Sequence, residues 1–177
     1  MSTEPLNQHD ASTVRYLQPT QAAGRALLAR QISGSVVMLN LLRFRDIADY
    51  SQTPELAPAE PISGASAFER YIEHALPHLK RSGGELLFLG SGGAFLIGPE
   101  AERWDLAMLI RQHSIEAFMA FASDAAYLAG LGHRAAALED SRLLPLTPSE
   151  RPRALAKGPN TRITRSDSSE LSVITTE

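Results

Sequence analysis

Between Ser35 and Arg45 the chain runs Val36-Val37-Met38-Leu39-Asn40-Leu41-Leu42-Arg43-Phe44. This run is apolar at both even and odd positions. A strand sends successive side chains to opposite faces, so alternation marks a half-wet strand and an unbroken apolar run marks one covered on both sides. The run therefore reads as the central strand of a sheet. Any fold the chain adopts must give this strand two covered faces.

The flanking pattern supplies the other elements. Thr20 to Gln31 carries Ala23, Ala26, Leu27 and Leu28 at helical spacing, with Thr20 as N-cap, and Ser33-Gly34 is a turn. Residues 46–63 hold Pro54, Pro58 and Pro61 and show no periodicity. They read as a long loop, of a length that in compact domains is usually functional or mobile. Ser66-Ala67-Phe68-Glu69 reads as a capping box opening a helix. Its apolar stripe is Phe68, Tyr71, Ile72, Ala75, Leu76 and Leu79, with Pro77 on the opposite face and Gly83-Gly84 as the stop. Glu85 to Gly98 reads as a strand pair or one bent strand, interrupted at Gly90, Gly92 and Gly93. Trp104 to Gln112 is a further strand. Ser114 caps a helix reaching about Leu131, which Ser123-Asp124 can restart. A short helical piece follows Gly130 and Gly132, and Ser141 to Leu146 is the last strand.

The central order is strand, helix, strand, strand, helix, strand. That is the split βαβ pattern of an α+β, ferredoxin-like βαββαβ unit with an antiparallel four-stranded sheet. Both helices fall on one face and leave the other bare. The strands are apolar on both faces, and a second copy of the chain is the simplest cover, giving a dimeric α+β barrel. The expected division is 1–34 as an N-terminal arm and helix, 35–146 as the barrel domain, and 147–177 as a polar tail. Within the tail, Leu171 to Thr175 could pair as a strand.

Composition excludes several classes. The 177 residues suit one domain, and 44% apolar content suffices for a core. A net charge of −3 with mixed signs gives no basic stripe for nucleic acid and no acidic block. There is no cysteine, which removes disulfides, thiolate catalysis and thiolate metal centres. The first residues lack the basic and apolar regions of a signal peptide, and no apolar run approaches the ~20 residues that span a bilayer. The expectation is a soluble cytoplasmic protein with no nucleic-acid or membrane partner.

The densest polar segment is Gly132-His133-Arg134-Ala135-Ala136-Ala137-Leu138-Glu139-Asp140-Ser141-Arg142-Leu143. A charged cluster between a helical pattern and an apolar run is either a solvated turn or one wall of a site. His133 is the acid–base candidate, because its intrinsic pKa lies near neutrality and glycine breaks flank it. Arg134, Glu139 and Asp140 are near enough to tune it, unless it merely caps a helix among surface ion pairs. Asn40 is a buried amide in an apolar strand, either a structural tie or a donor to a substrate carbonyl or oxyanion. Arg43, on the opposite strand face, is either an exposed strand end or a carboxylate clamp. Tyr71 on the inward helix stripe is either core or a hydroxyl donor facing a cavity. His74 and His78 have metal-compatible i,i+4 spacing, but no carboxylate completes a motif, and no metal is expected. Gly90-Ser91-Gly92-Gly93 lacks the ending of a phosphate loop and reads as a bulge or bend.

Met38-Leu39-Asn40-Leu41-Leu42-Arg43-Phe44-Arg45, Leu96-Ile97-Gly98-Pro99 with Arg103-Trp104-Asp105, and His133-Arg134 with Leu138 to Leu143 together resemble a known family. It is the bacterial domain-of-unknown-function family thirteen-thirty, within the dimeric α+β-barrel superfamily. The resemblance spans about Ser35 to Leu146 and implies the fold and a homodimer. It implies no reaction, because the superfamily includes cofactor-free monooxygenases, haem-degrading enzymes, polyketide cyclases, muconolactone isomerase and aldoxime dehydratase-like proteins. The expected function is a small cofactor-independent enzyme of isomerase, cyclase or monooxygenase type, acting on an apolar carbonyl-bearing metabolite. His133, Asn40 and Tyr71 would be catalytic, and Arg43, Arg134 and Trp104 would bind substrate. The alternative is a non-catalytic dimeric protein that binds a small molecule in the same cavity.

Overall fold

The computed structural model describes residues 15–148. The elements are α1 (Gln21–Ala29), β1 (Val36–Phe44), a 3-10 turn (Pro54–Leu56), α2 (Gly64–Arg81), β2 (Glu85–Ser91), β3 (Leu106–Gln112), α3 (Ile115–Ala122), α4 (Ala125–Leu128), α5 (Leu131–Ala137) and β4 (Leu138–Leu146). The sheet order is β2-β3-β1-β4, every pair antiparallel. The fold is α+β and ferredoxin-like, with β1 inside the sheet as its sequence demands. The arm before residue 15 and the tail strand at Leu171 to Thr175 lie outside the described residues.

Parity along β1 sorts the two faces. Val36, Met38 and Leu42 are buried beneath the helices. One cluster joins Leu42, Phe68, Met108 and Leu138 with Ala136 and Ala137 of α5. A second joins Val36, Met38 and Ile115, with Leu27 of α1 packed on it. Odd positions face the other way, where register aligns the row Phe88–Leu109–Leu39–Leu144 across all four strands. Phe88 and Leu144, at the ends of that row, are each 52% exposed.

Several boundaries differ from the sequence expectation, while the restart expected at Ser123-Asp124 is present. α2 opens at Gly64 rather than at Ser66: Ser63 Oγ accepts from Ser66 N at 3.1 Å. Gly64 N donates to Arg45 O at 3.0 Å, so the start of α2 is tied to the end of β1. The 46–63 segment is packed, with Ala48 N bonded to Ile62 O and Asp49 N to Ala136 O, both at 2.9 Å, and with Tyr50 in the core. The helix from Ser114 stops at Ala122 and is recapped by Asp124, whose side chain accepts from Tyr127 N. β3 begins after Trp104, because Trp104 N turns back to Gly93 O at 3.1 Å. The β2–β3 connection is closed by an Ala94–Arg103 bridge. At its tip Leu96 and Ile97 are 100% and 92% exposed. β4 begins at Leu138, earlier than Ser141.

Candidate functional site

A cavity of about 60 Å³ lies between α2 and the helix side of the sheet. That exceeds the roughly 10–15 Å³ that a single water needs and falls well short of the ~150 Å³ that takes a benzene ring. Its walls are mostly apolar, among them Leu42, Phe68, Met108 and Ile110. Three polar residues join them: Asn40, Tyr71 and Arg134. The sequence places Asn40, Arg43, Tyr71 and His133 in one site; the cavity takes in Asn40 and Tyr71 but neither Arg43 nor His133.

Each polar group is held. Asn40 Nδ2 donates to Met38 O at 3.1 Å, which leaves its carbonyl oxygen uncommitted among the described contacts. The Tyr71 and Tyr127 hydroxyls are 2.9 Å apart. Burial first, and then the adjacent Tyr127 hydroxyl, push Tyr71 well above the ordinary tyrosine range, so it stays protonated as a donor. Arg134 NH1 donates to Leu17 O at 2.9 Å, and NH2 to Ser141 Oγ at 3.3 Å.

The remaining candidates lie elsewhere. His133 belongs to α5, not to a loop: Gly132 is part of the same helix. A Cβ on Gly132 would stand 2.7 Å from Thr53 Oγ1 and 2.6 Å from Leu56 Cδ1, so this glycine serves close packing rather than chain breaking. His133 is not among the cavity's lining residues. Its Nδ1 meets the Tyr50 hydroxyl at 2.8 Å, with the rings edge to face. Burial first, then the charges of Arg70 and His74, lower its pKa, which keeps the imidazole neutral at neutral pH.

Arg43 and Trp104 also lie outside the cavity lining; Trp104 stacks on a clasp of β4 residues that holds the N-terminal strap, residues 15–17, while Arg43 pairs with Glu139. Arg43 Nε sits 3.2 Å from Glu139 Oε2, within ion-pair reach although the nitrogen makes no well-aligned hydrogen bond. Asp140, 3% exposed, accepts from Tyr16 N at 2.7 Å, Ser141 N at 2.9 Å and Arg142 NH1 at 2.8 Å. Ser141 Oγ donates to Tyr16 O at 2.5 Å. The Arg142 guanidinium lies 4.6 Å from the Tyr16 ring centre and 4.9 Å from that of Trp104. Such cation–π contacts strengthen where water is excluded. Burial alone would raise the Asp140 carboxyl, but the bonds from Arg142, Tyr16 and Ser141 outweigh it and hold the group below the usual carboxylate range.

Among the described residues no three acidic or histidine side chains gather as a metal site. His74 Nε2 lies 2.9 Å from Ala126 O and 3.1 Å from Tyr127 O, which makes that nitrogen a donor. No helix of the described residues is long and apolar enough to cross a membrane. Tyr50, Tyr127 and Tyr16 were missed in the sequence. Nothing in their local patterns signals a partner that is distant in the chain.

Fold and cavity together define the class: a ferredoxin-like α+β protein with its helices on one side of the sheet and a small apolar cavity beneath them. No protein-family model matches this sequence and no curated protein matches it, so the numbered family stays a resemblance. Among the crystal structures that match are one of the RPA0582 protein of unknown function from Rhodopseudomonas palustris and one of the methylated RPA0582 protein. Both are 32% identical and cover 77% of this chain; they are covered over 99% and 97% of their lengths, with TM-scores of 0.67 and 0.69 respectively. The chain belongs to the family of that protein. A DABB family protein with a ferredoxin-like fold from Mesorhizobium loti is 11% identical at a TM-score of 0.39, over 67% of this chain and 100% of that one. That likeness is too slight to bear on the present chain.

Proposed function

We propose that the protein is a homodimer that binds an apolar, carbonyl-bearing small molecule in the cavity under α2. The observation that carries this reading is the chemistry of the cavity lining. Hydrocarbon walls are joined by one protonated hydroxyl, one amide and one guanidinium. Sites for small ligands combine these elements, with apolar area for affinity and a few polar groups for orientation. The homodimer reading is supported by the exposed row ending in Phe88 and Leu144, which a second copy would cover. The charge balance and composition fit a cytoplasmic protein without nucleic-acid or membrane partners.

The test is ligand-observed NMR or a thermal-shift panel of small ketones, aldehydes and lactones on the wild type and on Ala75→Phe. Ala75 is buried and lines the cavity, so the larger side chain fills it. Binding lost in that variant is the expected result. Binding that survives it overturns the cavity reading.

A second reading, a cofactor-independent isomerase, cyclase or monooxygenase, is favoured by His133. It is neutral, half-buried and oriented by Tyr50, as a general base needs to be. Because His133 lies outside the cavity lining, the binding reading comes first. A screen for turnover with His133→Gln as control decides between the two. Turnover that falls at least about 10²-fold in the variant would favour the enzyme.

A further inference from the structure

We propose that the cavity selects a small apolar monocarboxylate, with Arg134 as the anchor for the carboxylate; this rests on the cavity reading above and narrows it to a ligand class. Arg134 is the one charged residue among the cavity's lining residues. Its two described partners, Leu17 O and Ser141 Oγ, are both neutral. Neighbouring arginines are treated differently. Arg43 has Glu139 at 3.2 Å and Arg142 has Asp140 at 2.8 Å. These two acids are close to Arg134 in sequence, and each is engaged by another arginine. Arg134 makes no salt bridge within the described residues.

A half-buried guanidinium with no anion beside it forgoes the strongest interaction open to it. Of the five N–H donors a guanidinium carries, the Leu17 and Ser141 bonds use two. The planar fork that remains matches a carboxylate better than a spherical ion. Phe68, Met108 and Ile110 offer the ligand's body only apolar surface. A phosphate fits less well. Arg134 alone would leave a dianion half neutralised, and no second basic side chain lines the cavity. The small volume limits the ligand to a chain of roughly two or three carbons.

The experiment titrates the full chain by calorimetry with acetate and propionate, with ethanol and 1-propanol as neutral counterparts, and with inorganic phosphate. The wild type should bind the acids at least tenfold more tightly than the alcohols, as one charge-assisted pair implies. Arg134→Gln should erase that preference. If Arg134→Gln fails to fold, the wild-type acid-to-alcohol ratio still decides the matter. So does its loss when the pH drops below the carboxylate's own pKa. Alcohols bound as tightly as acids would overturn the carboxylate anchor while sparing the cavity reading. Phosphate bound more tightly than either acid would also overturn it. Failure of every probe to bind would overturn both readings together.

Discussion

Gly64→Ala is the sharpest test of how the core elements are joined. Helix propensity alone favours alanine by at most about 1 kcal/mol, and by less in a first turn. The structure reverses that sign. A Cβ at Gly64 would lie 2.4 Å from Arg45 O, 2.5 Å from Ala137 O and 2.8 Å from Arg45 N. All three atoms are backbone, and two belong to the Arg45 N to Ala137 O region where β1 and α5 meet through a 2.9 Å bond. No side chain can swing aside, so α2 must move away from a junction that its own Gly64 N–H helps to close. Overpacking costs typically 1–3 kcal/mol. With rigid neighbours on both sides, a net loss of about 2–3 kcal/mol is expected, or roughly 10 °C in Tm. Gly24→Ala in α1 is the control, because a Cβ there meets nothing within 4 Å. It should be stabilising by about 0.5–1 kcal/mol. Urea unfolding of both variants at constant m-value is the assay. A Gly64→Ala midpoint at or above wild type would falsify the close-approach argument.

Three further outcomes follow from the same geometry. The depressed His133 pKa means that the unfolded chain binds the extra proton first, so stability should decline as pH falls from about 6.5 towards the folded-state value and then level off; His133→Gln should flatten that limb of the pH–urea midpoint curve, and an unchanged slope would contradict it. Arg142→Ala should cost about 1–2 kcal/mol, discounted because the arginine is partly exposed, and should raise the Asp140 pKa. Asp140 contributes stability above its unfolded pKa that is lost as pH falls through its folded one, so the variant should lose less stability on acidification than wild type, measured by urea melts at pH 7 and pH 3.5. Leu144→Asp should leave monomer stability within about 0.5 kcal/mol, given its 52% exposure, but abolish the dimer in sedimentation velocity; a wild type that is already monomeric at micromolar concentration rejects the homodimer.

The fold was readable because periodicity is local. The all-apolar β1 run forced a central strand, and the stripe from Phe68 to Leu79 fixed the buried face of α2. The parity of Arg43 likewise assigned it to the opposite face. Other features failed because their causes lie far along the chain. Gly132 looks like a helix breaker in sequence, yet it is small to admit Thr53 and Leu56. Ser63 outcompetes Ser66 as the start of α2 because Gly64 must reach Arg45. The charged block at 133–142 reads in sequence as either a solvated turn or one wall of a site. Most of its charge holds a strap whose Tyr16 is separated from Asp140 by 124 residues. No window of sequence contains both ends of that contact.

The same separation governs how the sheet can assemble. β2 and β3 are joined by one connection, and α3 to α5 follow directly, so these pieces can find local partners early. β1 cannot. It comes first among the strands, and its neighbours β3 and β4 are both made later. Chains dominated by such distant pairings fold slowly, because loop-closure entropy is lost before the contacts return anything. Until β4 docks, one edge of the most apolar strand stays unpaired, a state prone to sticking to other chains at high concentration. The strap can close only after Asp140 and Ser141 are in place, which makes it the last segment to arrive and the first expected to exchange its amide hydrogens.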